Sequence, residues 1–540
     1  MLCGMAFLKV ERKESGSYLR IVEGYRENGK SRNKVLYSLG RVEDYTPEML
    51  KRFGERFYEL GGGDPRELLV GSVEELGRYN YGYYQLFYRL LCHYGLDKTL
   101  LRIAQKHKLQ FDLVNTVMLM LIERLHDPCS KRANYFNQSE YLGIANVELQ
   151  WLYRSLDYLA ENNLHIQNSI YKNGFDLFNQ TLDVVFYDVT TLYFESELEQ
   201  EGALRQKGFS KDGKIGSTQI LFGLLIDKHK QPIGYQIYSG DTYEGHTFKD
   251  ALEKLKQQYN INKIIVVADR GMLNKNNIEL AEKENGYEFI LGERLKTLAK
   301  QVQEPLLNLS NYKQEWIHPD DKALRIRYTV IEYQGRNIIA TYSETRAKKD
   351  RLDREEKIQT AEYLIKHPEQ LKKKAHHYFL SSNTQNKYEL NQDRIKQSEK
   401  YDGILAISTN AKHLSVAEVL DNYRHLYQIE QTFRTFKSYL EIRPMFHWTD
   451  KRIQGHICLC YIAYALLNQM KLRLEKSKMK ITENQLRKLI DKMQLSLVKQ
   501  KDKQFYLRSA MEDGTRGIIN KMGLRALPNI VPKEKIMNYI

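Results

Sequence analysis

The sequence predicts an α/β protein built on a mixed β-sheet, and three observations support this prediction. First, two apolar runs with strand composition each end in an aspartate, Asp188 and Asp269. Second, residues 218–226 and 233–239 are apolar segments separated by a short polar turn, which predicts a hairpin. Third, a helical pattern over residues 247–258 separates that hairpin from the second aspartate run. The predicted order is therefore β-β-β-α-β.

The chain before this core predicts two further regions. Residues 1–60 contain short alternating strands, and Asn28–Gly29 between two of them is a hairpin signal. Basic residues on this hairpin allow a nucleic-acid contact, although solvated edge charges are the commoner explanation. Residues 61–180 then turn helical after a linker at Gly61–Gly63, with tyrosines and cations interleaved as in many phosphate binders.

The chain after residue 304 predicts an interruption of the core. Residues 305–400 contain alternating strands around Gln334–Gly335 and then a highly charged helix, which indicates a β-rich insertion. Residues 401–475 return to α/β patterning, and residues 476–540 predict a helical C-terminal region. The core thus falls into two parts, residues 181–304 and 401–475.

The bulk composition narrows the class of protein. A formal charge of +15 favours a polyanionic partner and disfavours small-molecule enzymes. Five cysteines without a C-x-x-C pair argue against a disulfide framework and a zinc site, and they fit a reducing cytoplasm. The sequence has neither a signal peptide pattern nor an apolar run long enough to span a membrane. We therefore expect a cytoplasmic protein without membrane association.

The segment from Asp421 to Lys437 predicts one amphipathic helix that begins near the capping box of Ser415 and Glu418. One side carries an apolar stripe, which consists of Leu426, Ile429, Phe433, Phe436 and Leu440. The other side presents two phenols, one carboxylate and two cations within an arc of roughly 80°. These residues are Tyr423, Tyr427, Glu430, Arg434 and Lys437. By itself the pattern fits an ordinary surface helix equally well.

The two strand-end aspartates change that balance. A carboxylate at the exit of a buried strand is uncommon, because desolvation of an unpaired charge is costly. Asp188, Asp269 and a glutamate on a facing helix would form an oxygen-only site, which suits Mg²⁺ or Mn²⁺. Two such ions support phosphodiester displacement by stabilising the attacking and leaving oxygens. Arg434 and Lys437 could hold phosphates beside the site.

Three segments give the chain a resemblance to a known family. These are Y-D-V-T-T-L-Y-F at Asp188, V-V-A-D-R-G-M at Asp269, and the spacing Y-x6-E-x6-K of Tyr423, Glu430 and Lys437. Together they resemble the DDE transposases of bacterial insertion sequences, within the insertion sequence 4-like superfamily and its insertion sequence 1634 branch. Further similar segments are G-F-S-K-D-G-K at 208–214, Y-S-E-T-R-A-K-K-D-R at 342–351 and the stretch 440–457.

The resemblance implies an RNase H-like catalytic core interrupted by a β-rich insertion between the second aspartate and the glutamate. It implies Asp188, Asp269 and Glu430 as catalytic metal ligands for two Mg²⁺ or Mn²⁺ ions, and Tyr423 and Lys437 as contacts to transposon-end DNA. The family signature has an arginine four residues before the glutamate, where this chain has Leu426. Because Leu426 belongs to the apolar stripe, we expect Arg434 to replace that arginine.

The sequence offers further candidate residues for the same site. Glu304 lies 35 positions after Asp269 (304 − 269), a spacing used by integrase-type relatives, but it precedes Pro305, where a helix is expected to end. Arg452 and His456 are one helical turn apart and could face DNA together. Trp448 could stack on an extruded base, although packing explains Trp448 and His456 more often. We expect Glu430 rather than Glu304 to be the third carboxylate.

The sequence therefore predicts a DNA transposase that binds its terminal inverted repeats, hydrolyses phosphodiester bonds there and joins the 3′ ends to target DNA. Its partner would be double-stranded DNA, and action on two ends favours a homodimer in the DNA complex. In the cell it would associate with the bacterial nucleoid when bound. Two alternatives stay open, an RNase H-like nuclease without strand transfer and a decayed or domesticated DNA-binding protein. The basic charge disfavours a two-carboxylate glycosidase.

Overall fold

The structure is a computed structural model that describes most of the chain, in thirteen stretches. These are residues 6–27, 30–63, 73–174, 184–195, 204–208, 217–259, 264–272, 275–279, 287–318, 324–367, 378–382, 388–500 and 503–540. The chain divides into two compact units. The first contains residues 1–78, 496–508 and 528–536, and the second contains residues 79–495, 509–527 and 537–540. The six regions expected from the sequence stay a prediction.

The N-terminal region contains the predicted hairpin, as part of an antiparallel three-stranded sheet. Its turn, Asn28–Gly29, lies outside the described residues. Some of its basic residues are already ion-paired, because Arg20 contacts Glu11 at 2.5 Å. The elements are β1 (Ala6–Lys13), β2 (Gly16–Glu27), β3 (Lys30–Arg41), α1 (Pro47–Leu60) and β4 (Val73–Asn80).

Within the described residues, the helical region predicted after residue 61 contains six helices. The helix Leu113–His126 is buried on nearly all sides, and Asp112 caps its first turn by accepting a 2.9 Å hydrogen bond from the Asn115 backbone N–H. The helices are α2 (Gly82–His93), α3 (Leu96–Lys106), α4 (Leu113–His126), α5 (Lys131–Asn137), α6 (Leu149–Glu161) and α7 (Asn163–Gly174).

The core has the predicted order of three antiparallel strands, a helix and a further strand. Its elements are β5 (Val184–Tyr193), β6 (Gln206–Lys207), β7 (Thr218–Ile226), β8 (Pro232–Ser239), α8 (Glu244–Tyr259), β9 (Ile265–Ala268), α9 (Lys275–Glu279) and β10 (Glu288–Glu293). Strands β5, β7 and β8 pair antiparallel, whereas β9 and β10 run parallel to β5. The order β8-β7-β5-β9-β10 is the mixed sheet expected of an RNase H-like core.

Three strands of the insertion extend the core sheet beyond β10 through the returning strand β16 (Ile404–Thr409), in the order β11-β12-β13-β16-β10. Two further strands, β14 (Leu380–Ser382) and β15 (Tyr388–Leu390), pair antiparallel as a small separate sheet. The helix that contains Glu304 continues past Pro305, so the expected helix end at that proline is wrong. The elements are α10 (Lys300–Leu307), β11 (Gln314–Ile317), β12 (Arg325–Tyr333), β13 (Arg336–Tyr342), α11 (Glu344–Lys366), β14 (Leu380–Ser382), β15 (Tyr388–Leu390), α12 (Gln392–Glu399) and β16 (Ile404–Thr409).

The last part of the chain contains helices, as expected for a mostly helical region, and also three strands that the sequence did not predict. Strands β17 to β19 form a four-stranded sheet with β4. The elements are α13 (Val416–Arg424), α14 (Tyr427–Arg434), a π-helical turn (Thr435–Tyr439), α15 (Asp450–Lys476), α16 (Glu483–Asp491), β17 (Gln494–Gln500), β18 (Lys503–Arg508), α17 (Asp513–Lys521) and β19 (Ile530–Pro532). Within the described ranges, none of the helices has the length and apolar character needed to cross a membrane.

Helix α15 is largely buried within the second unit. Most of its residues between Ile453 and Met470 are buried, including the two cysteines Cys458 and Cys460. It packs tightly against α6, because a β-carbon added at Gly455 would lie 2.1 Å from the backbone carbonyl oxygen of Leu156. Only glycine permits this close approach of two helix backbones.

Candidate active site

Asp188 lies within β5, and the alternation of side chains shows which side of the sheet it faces. Asp188 and Thr190 share one face, and Tyr187 and Val189 share the other. Tyr187 packs under α8, since its ring centroid lies 6.1 Å from that of Phe248. Asp188 therefore points to the sheet face opposite α8. Its side chain is half-buried, and its Oδ1 accepts a 2.7 Å hydrogen bond from the Val189 backbone N–H.

Asp269 is the first residue after β9, and it is exposed. Tyr187 is paired with Ala268 in the parallel ladder of β5 and β9, so Asp188 and Asp269 are the next residues of the two strands. Because β9 ends beside Asp188, both aspartates lie at the carboxyl end of β9. Strand β5 continues to Tyr193, so the expectation that Asp188 ends its strand is wrong. The turn after Asp269 is fixed to α8, since the Asn277 Nδ2 donates 2.8 Å hydrogen bonds to the carbonyls of Met272 and Gly245.

Glu430 lies on α14, which covers the face of the sheet that Asp188 points to. Phe222 of β7 is paired with Thr190, and cross-strand partners share a face. The ring centroid of Phe222 lies 5.4 Å from that of Phe436, just after α14. The Glu430 side chain is itself exposed. Glu430 thus lies on the helix that covers the sheet face to which Asp188 points.

The apolar stripe predicted for this segment is confirmed, because all five of its residues are buried. The prediction of a single continuous helix is wrong. Helix α13 ends at Arg424, the next two residues form a turn closed by backbone hydrogen bonds three residues apart, and α14 begins at Tyr427. A π-helical turn then replaces the α-helix from Thr435. Both interruptions change the angle at which side chains leave the helix axis.

The predicted polar face is therefore divided among three segments. Tyr427, Glu430 and Arg434 lie on α14 at three- and four-residue spacing and are all exposed, so the structure brings these three together. Tyr423 belongs to α13 and Lys437 to the π-helical turn, and both are half-buried. Arg434 remains the one cation on the same helix face as Glu430, as expected for a residue that replaces the missing arginine.

A series of buried hydrogen bonds, which the sequence did not predict, fixes the buried side of α14. The Thr432 hydroxyl lies 2.9 Å from the Tyr464 phenol oxygen, and that phenol donates a 2.9 Å hydrogen bond to the Lys230 carbonyl. Burial raises the pKa of Tyr464, so the phenol stays a neutral donor. The Lys230 ammonium also donates to Gln431 Oε1 at 2.7 Å. The two residues that follow Glu430, Gln431 and Thr432, are thereby fixed to the β7–β8 turn and to α15.

The segment that follows α14 is anchored as firmly. The Arg124 guanidinium of α4 donates to the Leu440 and Glu441 carbonyls at 3.1 and 3.3 Å. The Tyr439 phenol donates a 2.9 Å hydrogen bond to the Leu125 carbonyl. No local pattern identifies Arg124, since its partners lie more than 300 positions later in the sequence. The helix that carries the glutamate therefore has fixed supports at its face and at its end.

Residues 447–456 do not share a face toward solvent. His456 is buried, and its Nε2 lies 3.3 Å from the Ile442 carbonyl oxygen, so it has no exposed ring to offer to DNA. Burial and nearby cations hold the pKa of His456 well below its usual value. Arg452 is engaged by Asp157, with an Nε to Oδ1 distance of 3.6 Å. Trp448 is 56% exposed, and Arg205 stacks over its ring at 4.4 Å.

A cavity of about 680 Å³ adjoins the aspartate edge. Asp269 and Tyr423 line its wall, together with Glu293 from the end of β10 and the charged helix α11. Glu293 is buried, its Oε2 has no hydrogen-bond partner, and burial raises the pKa of its carboxyl group. Glu304, the alternative third carboxylate, is exposed on α10 and does not line this cavity.

The donor set has the oxygen chemistry that Mg²⁺ or Mn²⁺ prefers. Among the residues that the structure describes, no three His, Cys, Asp or Glu side chains lie close enough together to hold a metal ion. Asp188 and Asp269 therefore lie side by side, and Glu430 lies on the helix that covers the same sheet, but the three do not form one closed ligand shell. The fit to a divalent cation thus rests on their chemistry and placement.

Comparison with known proteins gives two family matches. The sequence profile described as "Transposase DDE domain" matches residues 179–466, which include all three carboxylates. The profile described as "IS1634 family transposase, N-terminal domain" matches residues 8–59. No functionally curated protein matches the chain significantly.

Two solved structures are similar to the chain. One is a piggyBac transposase synaptic complex with hairpin DNA, at 7% identity and a TM-score of 0.39, covering 76% of this chain and 78% of that chain. The other is a Mos1 transposase paired-end complex with the left transposon end, at 15% identity and a TM-score of 0.15, covering 40% of this chain and 62% of that chain.

Proposed function

This chain belongs to the family of DDE transposases, in the IS1634 branch, and from that premise we propose that it moves its own insertion sequence. It would bind the terminal inverted repeats as double-stranded DNA and cleave the ends by metal-dependent hydrolysis. It would then transfer the 3′ ends to target DNA. Because two ends must be processed together, we propose a homodimer in the DNA complex.

The observation that supports this proposal is the pairing of Tyr187 with Ala268, which places Asp188 and Asp269 side by side below the helix of Glu430. We propose that these three carboxylates hold Mg²⁺ or Mn²⁺, two ions in the working complex. When bound, such ions stabilise the attacking and leaving oxygens of a phosphodiester displacement. The strand-borne aspartates are rigid, and α14 brings the glutamate to the same face.

The chain's own cations would hold the DNA beside these carboxylates. Arg434 lies one turn beyond Glu430 on an exposed helix face, where its guanidinium can bind a phosphate with two hydrogen bonds. Tyr427 precedes Glu430 by one turn and can contact the same strand through its phenol. Tyr423 and Lys437 would contact the DNA from the adjoining segments. The formal charge of +15 supports a polyanionic substrate.

A cleavage and strand-transfer assay tests the proposal. The purified chain is incubated with duplexes that end in the element's inverted repeat, with Mg²⁺, with Mn²⁺ or with a chelator. We expect metal-dependent nicks at the repeat boundary and joined products with a target plasmid. Nicks without joined products would identify a nuclease instead, and binding without nicks would identify a non-catalytic DNA-binding protein. Nicks that survive chelation would contradict the metal-dependent mechanism.

A further inference from the structure

The helical region contains a basic groove between α3 and α7, which we call the α3–α7 groove. It has a volume of about 590 Å³. Four exposed cations line it. They are Lys98, Arg102 and Lys106, at four-residue spacing on α3, and Lys172 on α7; the histidines His93 and His165 also line the groove. The groove lies outside both family-matched ranges, residues 8–59 and 179–466, so the family assignment gives it no role.

Buried hydrogen bonds give the α3–α7 groove a defined floor. The Ser169 hydroxyl donates to the Tyr94 carbonyl at 2.7 Å, and the Asn173 amide donates to the same carbonyl at 3.0 Å. The Thr99 hydroxyl lies 3.3 Å from the Ser169 hydroxyl and so joins the first turn of α3 to α7. The two walls are therefore fixed relative to each other, and the row of cations is preorganised.

The positive charge of the groove is not neutralised from within. None of its four lysine and arginine side chains forms an ion pair with a described residue, and no carboxylate is among the described residues that line it. The nearest acids lie at its ends. Asp97 is half-buried in the first turn of α3, and Glu161 is already engaged by Lys451 at 2.5 Å. An anion is needed to compensate the charge along its length.

We propose that the α3–α7 groove binds the sugar–phosphate backbone of double-stranded DNA. The identification of that DNA as the end of the element itself rests on the proposed function. Lys98, Arg102 and Lys106 span about 12 Å at about 1.5 Å per residue. A DNA strand presents a phosphate about every 3.4 Å along the axis, so this row covers about three to four phosphate steps and each of its three cations can contact a different phosphate. The described lining contains no Phe, Tyr or Trp, so the groove offers no stacking platform for bases. Backbone contacts of this kind position the protein and carry no sequence information.

The test measures duplex binding as a function of salt for two triple variants. The groove variant is Lys98→Gln with Arg102→Gln and Lys106→Gln. The control variant is Lys348→Gln with Lys349→Gln and Lys396→Gln, which removes three exposed lysines next to acidic residues. Each lost phosphate contact lowers the slope of log affinity against log salt by about 0.9. The affinity at about 50 mM salt divided by the affinity at about 200 mM salt should therefore be about 40-fold smaller for the groove variant than for the wild-type chain. The control variant should have the same ratio as the wild-type chain.

The loss should be equal for duplexes with the inverted repeat and for unrelated duplexes, because the contact is to the backbone. A variant with Lys98→Arg and Lys106→Arg should keep the wild-type salt slope, and circular dichroism checks that all variants fold. A groove variant with the control's salt slope would overturn the groove proposal, and so would a wild-type chain that binds no duplex. If the groove variant loses slope as expected while the wild-type chain cleaves no ends, the proposed function fails and the groove stands.

Discussion

Tyr187 and Ala268 are direct neighbours in the parallel ladder of β5 and β9, so the next residue of each strand is an aspartate. Tyr187 points toward α8, which directs Asp188 to the opposite face, where α14 packs. The buried side of β5 thus fixes the orientation of its functional residue. A change of one residue in the register of β9 would separate the two aspartates and turn one of them into the core.

The three carboxylates should be equally indispensable. We expect Asp188→Asn, Asp269→Asn and Glu430→Gln each to lower the rate of end cleavage by about 10²–10³-fold, because each removes about 3–4 kcal/mol of charge stabilisation. Duplex affinity should stay near wild type, since no DNA-holding cation is lost. The measurement is single-turnover nicking with Mg²⁺. Glu304→Gln is the matched control and should cleave normally; a dead Glu304→Gln beside an active Glu430→Gln would refute the assignment.

The hydrogen-bonded chain behind α14 should control how Glu430 is positioned. Tyr464→Phe removes the phenol that joins Thr432 to the Lys230 carbonyl. We expect a loss of about 10-fold or more in single-turnover cleavage with unchanged duplex affinity, because small misplacements of a catalytic group lower the rate strongly. Tyr461→Phe, also buried on α15, should have a smaller effect, since Tyr461 makes no described hydrogen bond. Equal losses in both variants would indicate a general packing effect.

The sequence was sufficient to predict the strands of the core, because buried strands leave continuous apolar runs. The sequence also predicted an aspartate at the end of two strands, which is confirmed for Asp269 but is wrong for Asp188, because β5 continues to Tyr193. The sequence was insufficient to predict the break between α13 and α14. His425 and Leu426 both keep helical dihedral angles, with φ of −65° and −56°, and neither is a glycine or proline. The break arises from a change of hydrogen-bond spacing, which helical periodicity does not record.

The supports of the site were hidden from the sequence for a different reason. Tyr464 lies in the run Ile457–Leu467 of α15, which has no charged or amide residue and so gives no helical phase from which to choose a functional face. Its partner Lys230 is 234 positions away, and Arg124 is 316 positions from Leu440. Contacts of that range depend on the complete fold, so only the structure reveals them.

The close approach at Gly455 should make that position sensitive to the smallest side chain. Gly455→Ala places a β-carbon 2.1 Å from the Leu156 carbonyl oxygen, so α6 and α15 must separate. We expect a loss of about 1–3 kcal/mol in the free energy of unfolding. Gly517→Ala on α17 meets its nearest atom at 3.9 Å and should be neutral or stabilising by about 0.5–1 kcal/mol. Urea unfolding of both variants measures the difference, and equal stabilities would contradict the close packing.

Lys254 should make stability depend on pH. Burial lowers the pKa of its ammonium to about 7, and its Nζ donates to Gln167 Oε1 at 2.7 Å and to the Tyr235 carbonyl. Between pH 7 and the unfolded pKa, the unfolded chain holds a proton that the folded chain has lost, so stability rises with pH by up to about 1.4 kcal/mol per unit. Below pH 7 both states are protonated and this slope vanishes.

Lys254→Met should abolish that rise between pH 7 and 9, whereas Lys249→Met on the exposed side of the same helix should keep it. The urea midpoints of the three proteins at several pH values measure the effect. Parallel pH profiles for the wild-type chain and Lys254→Met would show that Lys254 stays charged in the folded state.

Arg434 should supply the cation that the family places four residues before the glutamate. Its loss in Arg434→Gln removes a charge-assisted phosphate contact, so we expect cleavage to fall by about 10- to 100-fold. Leu426→Arg in that background should not restore activity, because Leu426 is buried at 9% exposure and an arginine there would have to displace the stripe that seats α14. The measurement compares the nicking rates of Arg434→Gln and of the double variant that also carries Leu426→Arg. Rescue by Leu426→Arg would show instead that the position before α14 can turn to the DNA and that Arg434 is not the replacement.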